Sequence, residues 1–279
     1  MNPPSFLWLN GSLQPAHEAR VSPLDHGLLV GDGVFETLVG RGGRPFAAHE
    51  HYERLLRSCQ AIGLGCIPEQ VFLEAVQSVM DANGLPDARI RVTLTSGDGP
   101  LGSDRGEGPG TVLAVAMPLK PWPPTEDVYL VPWTRNTRGA LAGVKSISYG
   151  ENVHALLHAK QRGCGEALLA NDRDELCEGT GSNVFVVVDG RLYTPPLSSG
   201  CLAGITRQLV ITACAQAGIG CLEETMPVSA LEACEEAFLT SSTRDVHPIA
   251  TLSGRPVPAP GPVTREVQRA FADKYLSPV

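Results

Sequence analysis

Long apolar runs are missing from this chain. No stretch of its 279 residues approaches the length of a membrane-spanning helix, so a helical membrane protein is excluded and no membrane partner is expected. A basic excess is missing too. The 22 Lys and Arg residues stand against 30 Asp and Glu, a net charge of −8 without long runs of one sign. A nucleic-acid surface needs a basic patch, so none is expected. The opening MNPPSFLWLNGS lacks the basic-then-apolar order of a secretion signal, and a cytoplasmic location is the expectation. None of the eight cysteines (Cys59, Cys66, Cys164, Cys177, Cys201, Cys214, Cys221, Cys234) stands in a C-x-x-C pair. That speaks against zinc and for free thiols. His49-Glu50-His51 has no third ligand at metal-binding spacing, and no metal is expected. A dinucleotide G-x-G-x-x-G, a P-loop lysine, internal repeats and low-complexity tracts are all absent.

What is present suits two small domains: an apolar fraction of 43% and 279 residues. The proline-rich PLKPWPP (118–124) follows one strand and precedes another, as a linker does. The expected division is a small domain over 1–117, a linker over 118–127 and a larger domain over 128–279. Leu55, Leu56, Cys59 and Ile62 give the apolar side of a helix over 49–62, with Gly63 as its stop. A second helix is expected over 68–83, a third after Tyr149 with Val153, Leu156 and Leu157 as its apolar positions, a fourth from about Thr206 and a last one over 263–275. Strands are expected over 88–95, 111–117, 128–133, 166–170 and 237–239. Val184–Val188 and Arg191–Thr194 read as a hairpin across Asp189-Gly190.

Four stretches carry candidate chemistry. In Gly143–Val188, Lys145 and Glu178 each stand at the edge of a regular element, Glu178 opening the loop-like Glu178-Gly179-Thr180-Gly181-Ser182-Asn183. A scaffold can aim such residues into a site, although a lone Lys and Glu are more often solvated surface charges. Gly31-Asp32-Gly33-Val34-Phe35-Glu36-Thr37 reads as a glycine-kinked strand. Gly204-Ile205-Thr206 opens a helix, where free N–H groups and the dipole favour an anion. Thr240-Ser241-Ser242-Thr243-Arg244-Asp245 follows a strand and has turn composition.

Taken together, Lys145-Ser146-Ile147-Ser148-Tyr149, Glu178 to Phe185, GDGVFET, His51-Tyr52-Glu53-Arg54-Leu55-Leu56-Arg57-Ser58 and Gly204 to Arg207 resemble the class IV aminotransferases. These are fold-type IV pyridoxal phosphate (PLP) enzymes, among them branched-chain and D-amino acid aminotransferases and 4-amino-4-deoxychorismate lyases. The resemblance implies an α+β fold: a small α/β sandwich domain and a larger domain with a β-barrel-like core, in a homodimer. It implies that Lys145 is the Schiff-base lysine and the general base at Cα. By the same token Glu178 meets the pyridine nitrogen and keeps the ring an electron sink. Arg54, Ile205, Thr206 and Ser242 would hold the phosphate, and Tyr149 the phenolic oxygen. Phe35 and Thr37 would line the substrate pocket. Arg91, Arg105, Thr243 and Arg244 are candidates for the substrate side, the arginines because a guanidinium fork matches a carboxylate. The arginine that best-known D-amino acid aminotransferases carry after the strand is missing from Thr95-Ser96-Gly97-Asp98-Gly99-Pro100-Leu101. The implied reaction moves an amino group between an amino acid or amine and a 2-keto acid. The alternatives are a lyase forming 4-aminobenzoate and pyruvate, and a non-enzymatic PLP carrier.

Overall fold

Side-chain alternation organises the first sheet. The computed structural model describes residues 4–276; the first three residues of the N-terminal stretch and the last three of the expected second domain lie outside the described residues. The backbone divides into two units. One is the chain up to Pro121 with Val144–Tyr149; the other is Trp122–Gly143 with the chain from Gly150 onward.

The first unit contains β1 (Phe6–Leu9), β2 (Ser12–Pro15), the single turn α1 (His26–Leu29), β3 (Gly33–Arg41), β4 (Arg44–Pro45), α2 (Ala48–Ala61), α3 (Glu69–Ala82), β5 (Ala88–Thr95) and β6 (Val112–Pro118). Its sheet has the order β2-β1-β6-β5-β3-β4, antiparallel throughout. The two-residue period sends Val34 and Leu38 of β3 and Ile90, Val92 and Leu94 of β5 to one face. There they pack on Leu55 and Cys59 of α2 and on Phe72, Val76, Val79 and Met80 of α3. Each such side chain contributes about 1.5–3 kcal/mol when fully buried. Phe35, Thr37, Arg91 and Thr93 alternate to the opposite face, with Phe35 beside Thr93 and Thr37 beside Arg91. Gly33 is glycine because β5 comes so close: a Cβ there would lie 2.4 Å from the Leu94 carbonyl oxygen.

The second unit contains β7 (Glu126–Arg135), α4 (Gly150–Lys160), β8 (Glu166–Asn171), β9 (Leu176–Gly179), β10 (Asn183–Val188), β11 (Arg191–Thr194), α5 (Ile205–Ala217), β12 (Cys221–Glu223), α6 (Ala230–Ala233), β13 (Glu236–Ser241), β14 (Asp245–Leu252), β15 (Arg255–Pro256) and α7 (Pro262–Tyr275). Its strands follow the order β12-β11-β10-β13-β14-β7-β8-β9. Because β9 turns through 180–182 straight into β10, the path out from β10 returns to its start, and the sheet curls into a barrel-like core. Val184 and Val186 point inward with Leu168, Leu176, Leu239 and Ile249. Phe185 and Val187 point outward beneath α5 and α7, where Phe185 stacks on Phe238 with ring centroids 4.8 Å apart. This is the α+β architecture expected.

Three expectations need correction. Glu178 lies within β9, opposite Leu169 of β8, and not in a loop. The Thr240–Asp245 stretch is turn only at its centre, since Asp245 begins the eight-residue β14. α4 buries Ala155 and Ala159 against Val131, Ala167 and Leu169, and leaves Val153 and Leu157 exposed. Small side chains let the helix lie close on β7 and β8, so the larger ones take the outer face. Among the described residues no helix is long and apolar enough to cross a membrane.

The N-terminus of α7 is capped from outside the helix. Glu236 of β13 accepts hydrogen bonds from the N–H groups of Val263 (3.1 Å) and Thr264 (2.8 Å) and from the Thr264 hydroxyl (2.7 Å). Glu236→Ala leaves those buried donors unmet. It should cost about 2 kcal/mol, read as a lower urea midpoint at unchanged slope; an unmoved midpoint would remove the cap from the stability argument.

Candidate active site

Lys145 is placed by backbone pairing to the edge of β3. The Phe35 N–H donates to the Lys145 carbonyl (3.0 Å), and the Ile147 N–H donates to the Gly33 carbonyl (2.9 Å). Ser146 thus bridges Val34 as a short added strand. The Lys145 side chain is 9% exposed. Its Nζ lies 4.3 Å from the ring centre of Phe35 and 5.8 Å from that of Tyr149. The two rings meet edge to face at 5.0 Å. Arg91 lays its guanidinium over the same Phe35 ring at 3.6 Å and donates from Nε to the Thr93 hydroxyl. A cavity of about 220 Å³ opens on this face, lined by Leu28, Arg91, Thr93, Thr95, Leu113 and Ile147 among others.

Behind this face lies a buried charge cluster that the motifs did not announce. Glu36 has no exposure and sits among the core side chains. Arg54 of α2 grips both its oxygens, Nε to Oε1 at 2.8 Å and Nη2 to Oε2 at 2.7 Å. His51 Nδ1 lies 2.6 Å from Oε2. Burial pushes the Glu36 carboxyl up, but Arg54 and His51 together outweigh it and hold the group below the usual carboxylate range. Burial pulls the His51 pKa down, against the pull of Glu36. The imidazole is therefore neutral and, facing an ionised acceptor, carries its proton on Nδ1. A signal for this was available. The alternation that puts Phe35 and Thr37 on the open face puts Glu36 on the core face, where a carboxylate requires a cation.

In the second unit, Glu178 is 8% exposed. Its Oε2 accepts from the Leu202 N–H at 2.8 Å. Arg135 Nε lies 3.1 Å from Oε1, an ion pair by distance whose angle is wrong for a hydrogen bond. Ile205 and Thr206 are the buried first residues of α5, whose cap residue, Gly204, offers no side chain. Ser242 and Thr243 lie in the turn between β13 and β14.

Two of the candidate arginines already have carboxylate partners. Arg105 holds Asp32 with both Nε (2.7 Å) and Nη2 (2.6 Å), and donates to the Gly63 carbonyl. The Arg244 side chain is 5% exposed. It pairs with Glu126 at 2.7 Å, approaches Glu166 at 3.8 Å and lies over Trp122 at 3.6 Å. Among the described residues no carboxylate pairs with Arg91. Glu126, Glu166 and Arg135 escaped the sequence reading because their partners lie far along the chain and no local spacing marks them.

Residues 33–252 match the family described as amino-transferase class IV. This chain belongs to the class IV aminotransferases. Over 276 residues it is 33% identical to a Methanocaldococcus jannaschii protein named for branched-chain-amino-acid aminotransferase activity, covering 96% of this chain and 95% of the relative. It is 29% identical to D-alanine aminotransferase of Staphylococcus haemolyticus, with 97% of each chain covered. Among solved structures it is similar to the PLP form of a branched-chain amino acid aminotransferase from Thermobaculum terrenum. That match has a TM-score of 0.88 at 26% identity, over 99% of this chain and 95% of the other. The stretches that carried the resemblance lie within the matched range, except that Gly31 and Asp32 of GDGVFET precede it.

The Glu36 cluster gives this class IV aminotransferase a pH-dependent stability. The folded pKa values of His51 and Glu36 both lie below their unfolded values of about 6.5 and 4.3. Their contributions are therefore complete above those values and are lost as pH falls. Tm should decline from about pH 6.5 downward and more steeply below about 4.3. His51→Gln should flatten the upper part of that decline; equal slopes in the two proteins between pH 7 and 5 would exclude His51 as its source.

Proposed function

We infer that this chain is a PLP-dependent aminotransferase moving an amino group between an amino acid or amine and a 2-keto acid, by a ping-pong course. The observation that carries the reading is Lys145, a buried amine held against Phe35 and Tyr149 on a strand-like segment, in a chain of this family. The residues present fit the cofactor. α5 opens without a side-chain cap, which leaves its N-terminus suited to a phosphate. Thr240 Oγ1, two residues from Ser242, is buried with no hydrogen-bond partner, an orphan group that an oxyanion would satisfy. When bound, PLP supplies an electron sink for the charge left as a Cα proton departs.

The chain's own residues do the rest. Lys145 would hold the cofactor through its Nζ, and the same amine, when free, would take the proton from the substrate Cα. Glu178, its oxygens met by Arg135 and the Leu202 N–H, presents a fixed carboxylate to the pyridine nitrogen. Arg54, Ile205, Thr206 and Ser242 serve the phosphate, and Tyr149 the phenolic oxygen. Phe35 and Thr37 line the substrate side. Of the arginines proposed for the substrate carboxylate, Arg91 has the strongest support, because Arg105 and Arg244 are already paired; Thr243 stays with the substrate side. The reading includes a homodimer in the cytoplasm.

Mixing the PLP-loaded protein with single amino acids, one enantiomer at a time and without keto acid, tests the reaction. The cofactor absorbance should shift, with one equivalent of keto acid released, and Lys145→Ala should abolish both. If no donor of either hand does this while aminodeoxychorismate yields 4-aminobenzoate and pyruvate, the lyase stands instead. Arg91→Gln removes a charged hydrogen-bond donor, a change of about 1.5–3 kcal/mol. KM for the amino donor should rise roughly tenfold to hundredfold with kcat little changed; an unmoved KM would take Arg91 out of substrate binding.

A further inference from the structure

One residue in the second unit, Leu202, ties together through its backbone two elements that the reading above gives to opposite ends of one ligand. The Leu202 N–H donates to Glu178 Oε2 at 2.8 Å. The Leu202 carbonyl accepts from Asn183 Nδ2 at 2.9 Å. Two residues later Gly204 caps α5, and a Cβ at Gly204 would lie 1.9 Å from Asn183 Oδ1. Asn183 is therefore in contact with both the Leu202 carbonyl and the residue that opens the helix. It is 5% exposed and stands in β10, opposite Thr240 of β13.

We propose that Asn183 is a positioning residue that, through the Leu202 backbone, fixes the span between the Glu178 carboxylate and the N–H groups opening α5. The proposal rests on the PLP reading. A flat ring with a basic nitrogen at one end and a phosphate at the other has a nearly fixed length. Groups that receive its two ends work together only if their own separation is set beforehand; otherwise the 202–204 loop must be ordered at the moment of binding. The side chain must also be neutral. An amide donates to the Leu202 carbonyl and adds no charge. A carboxylate at this position would face that carbonyl without a proton to give, and would set a negative charge at the helix end that is to receive a phosphate.

The test compares PLP with pyridoxal, which lacks the phosphate, as ligands of the full-length cofactor-free chain, followed by fluorescence. The wild type should prefer PLP strongly. Asn183→Ala should reduce that preference about tenfold, the effect of one buried hydrogen bond whose acceptor is left unmet, and Asn183→Asp should reduce it further. The same variants should move the pH dependence of the bound cofactor's absorbance, which reports the Glu178 end. Gly204→Ala crowds Asn183 from the other side and should give the same pair of effects, so the proposal can be judged even if an Asn183 variant fails to fold. Ligand-free Tm shows which variants are folded. Folded variants that keep the wild-type preference and pH profile overturn the strut while leaving PLP binding intact. Loss of PLP preference with an unmoved pH profile overturns the coupling of the two ends. A wild-type chain that takes up no PLP overturns the reading beneath both.

Discussion

Two backbone hydrogen bonds decide where the Lys145 amine stands: Phe35 N–H to the Lys145 carbonyl, and Ile147 N–H to the Gly33 carbonyl. They make Val144–Tyr149 part of the first unit, although the chain on either side belongs to the second. Position on a sheet edge is more exact than position on a free loop, because neighbouring pairs fix both register and face. Register puts Lys145 beside Phe35, and face puts its amine against that ring and Tyr149. Gly33 takes part twice. It accepts the Ile147 bond on one side and, lacking a Cβ, lets β5 close in on the other. A larger residue there would disturb the strand that carries Phe35 and, through it, the lysine.

The Glu36 cluster supports the same strand from behind. A carboxylate with no exposure is tolerated only when its charge is met and its lone pairs are filled. Arg54 does both with two hydrogen bonds, and His51 adds a third. α2 is thereby bound to β3 by charge as well as by Leu55 and Cys59. Arg54 was expected to serve a phosphate. A guanidinium has five donors, and holding Glu36 with two nitrogens fixes the orientation of the group.

Much of the fold was legible because its periodicities are strong. β5, β10, α2, α3 and α7 lie within a residue or two of the expected bounds, since alternating or helically spaced apolar residues are flanked by Gly, Pro or Asn. The misplaced features have a common cause. Leu176–Gly179 is too short to show alternation, and only pairing with β8 makes it a strand. α4 contains both a small-residue side and a larger apolar side, and close packing chose Ala155 and Ala159 over Val153 and Leu157. No one-dimensional division of the chain could show Val144–Tyr149 returning to the first unit, because that depends on two bonds to a strand more than a hundred residues earlier.

In the sequence the candidate site is marked by motifs at Lys145, Glu178 and the opening of α5, and least distinctly at the arginines. Arg91 in mid-strand, Arg105 in a glycine-rich loop and Arg244 just after a strand are candidates in the sequence by residue type alone. Their roles diverge through what the fold sets beside them. Asp32 engages Arg105 in two parallel bonds, and Glu126 and Glu166 surround Arg244 inside the second unit. Removing either arginine would strand a carboxylate, so each is first of all structural. Arg91 meets an aromatic face and a hydroxyl, and among the described residues no carboxylate pairs with it. A ring face attracts a cation but leaves the in-plane donors of the guanidinium unfilled. Those donors are what a carboxylate needs, and of the three arginines Arg91 is the one that no carboxylate among the described residues engages.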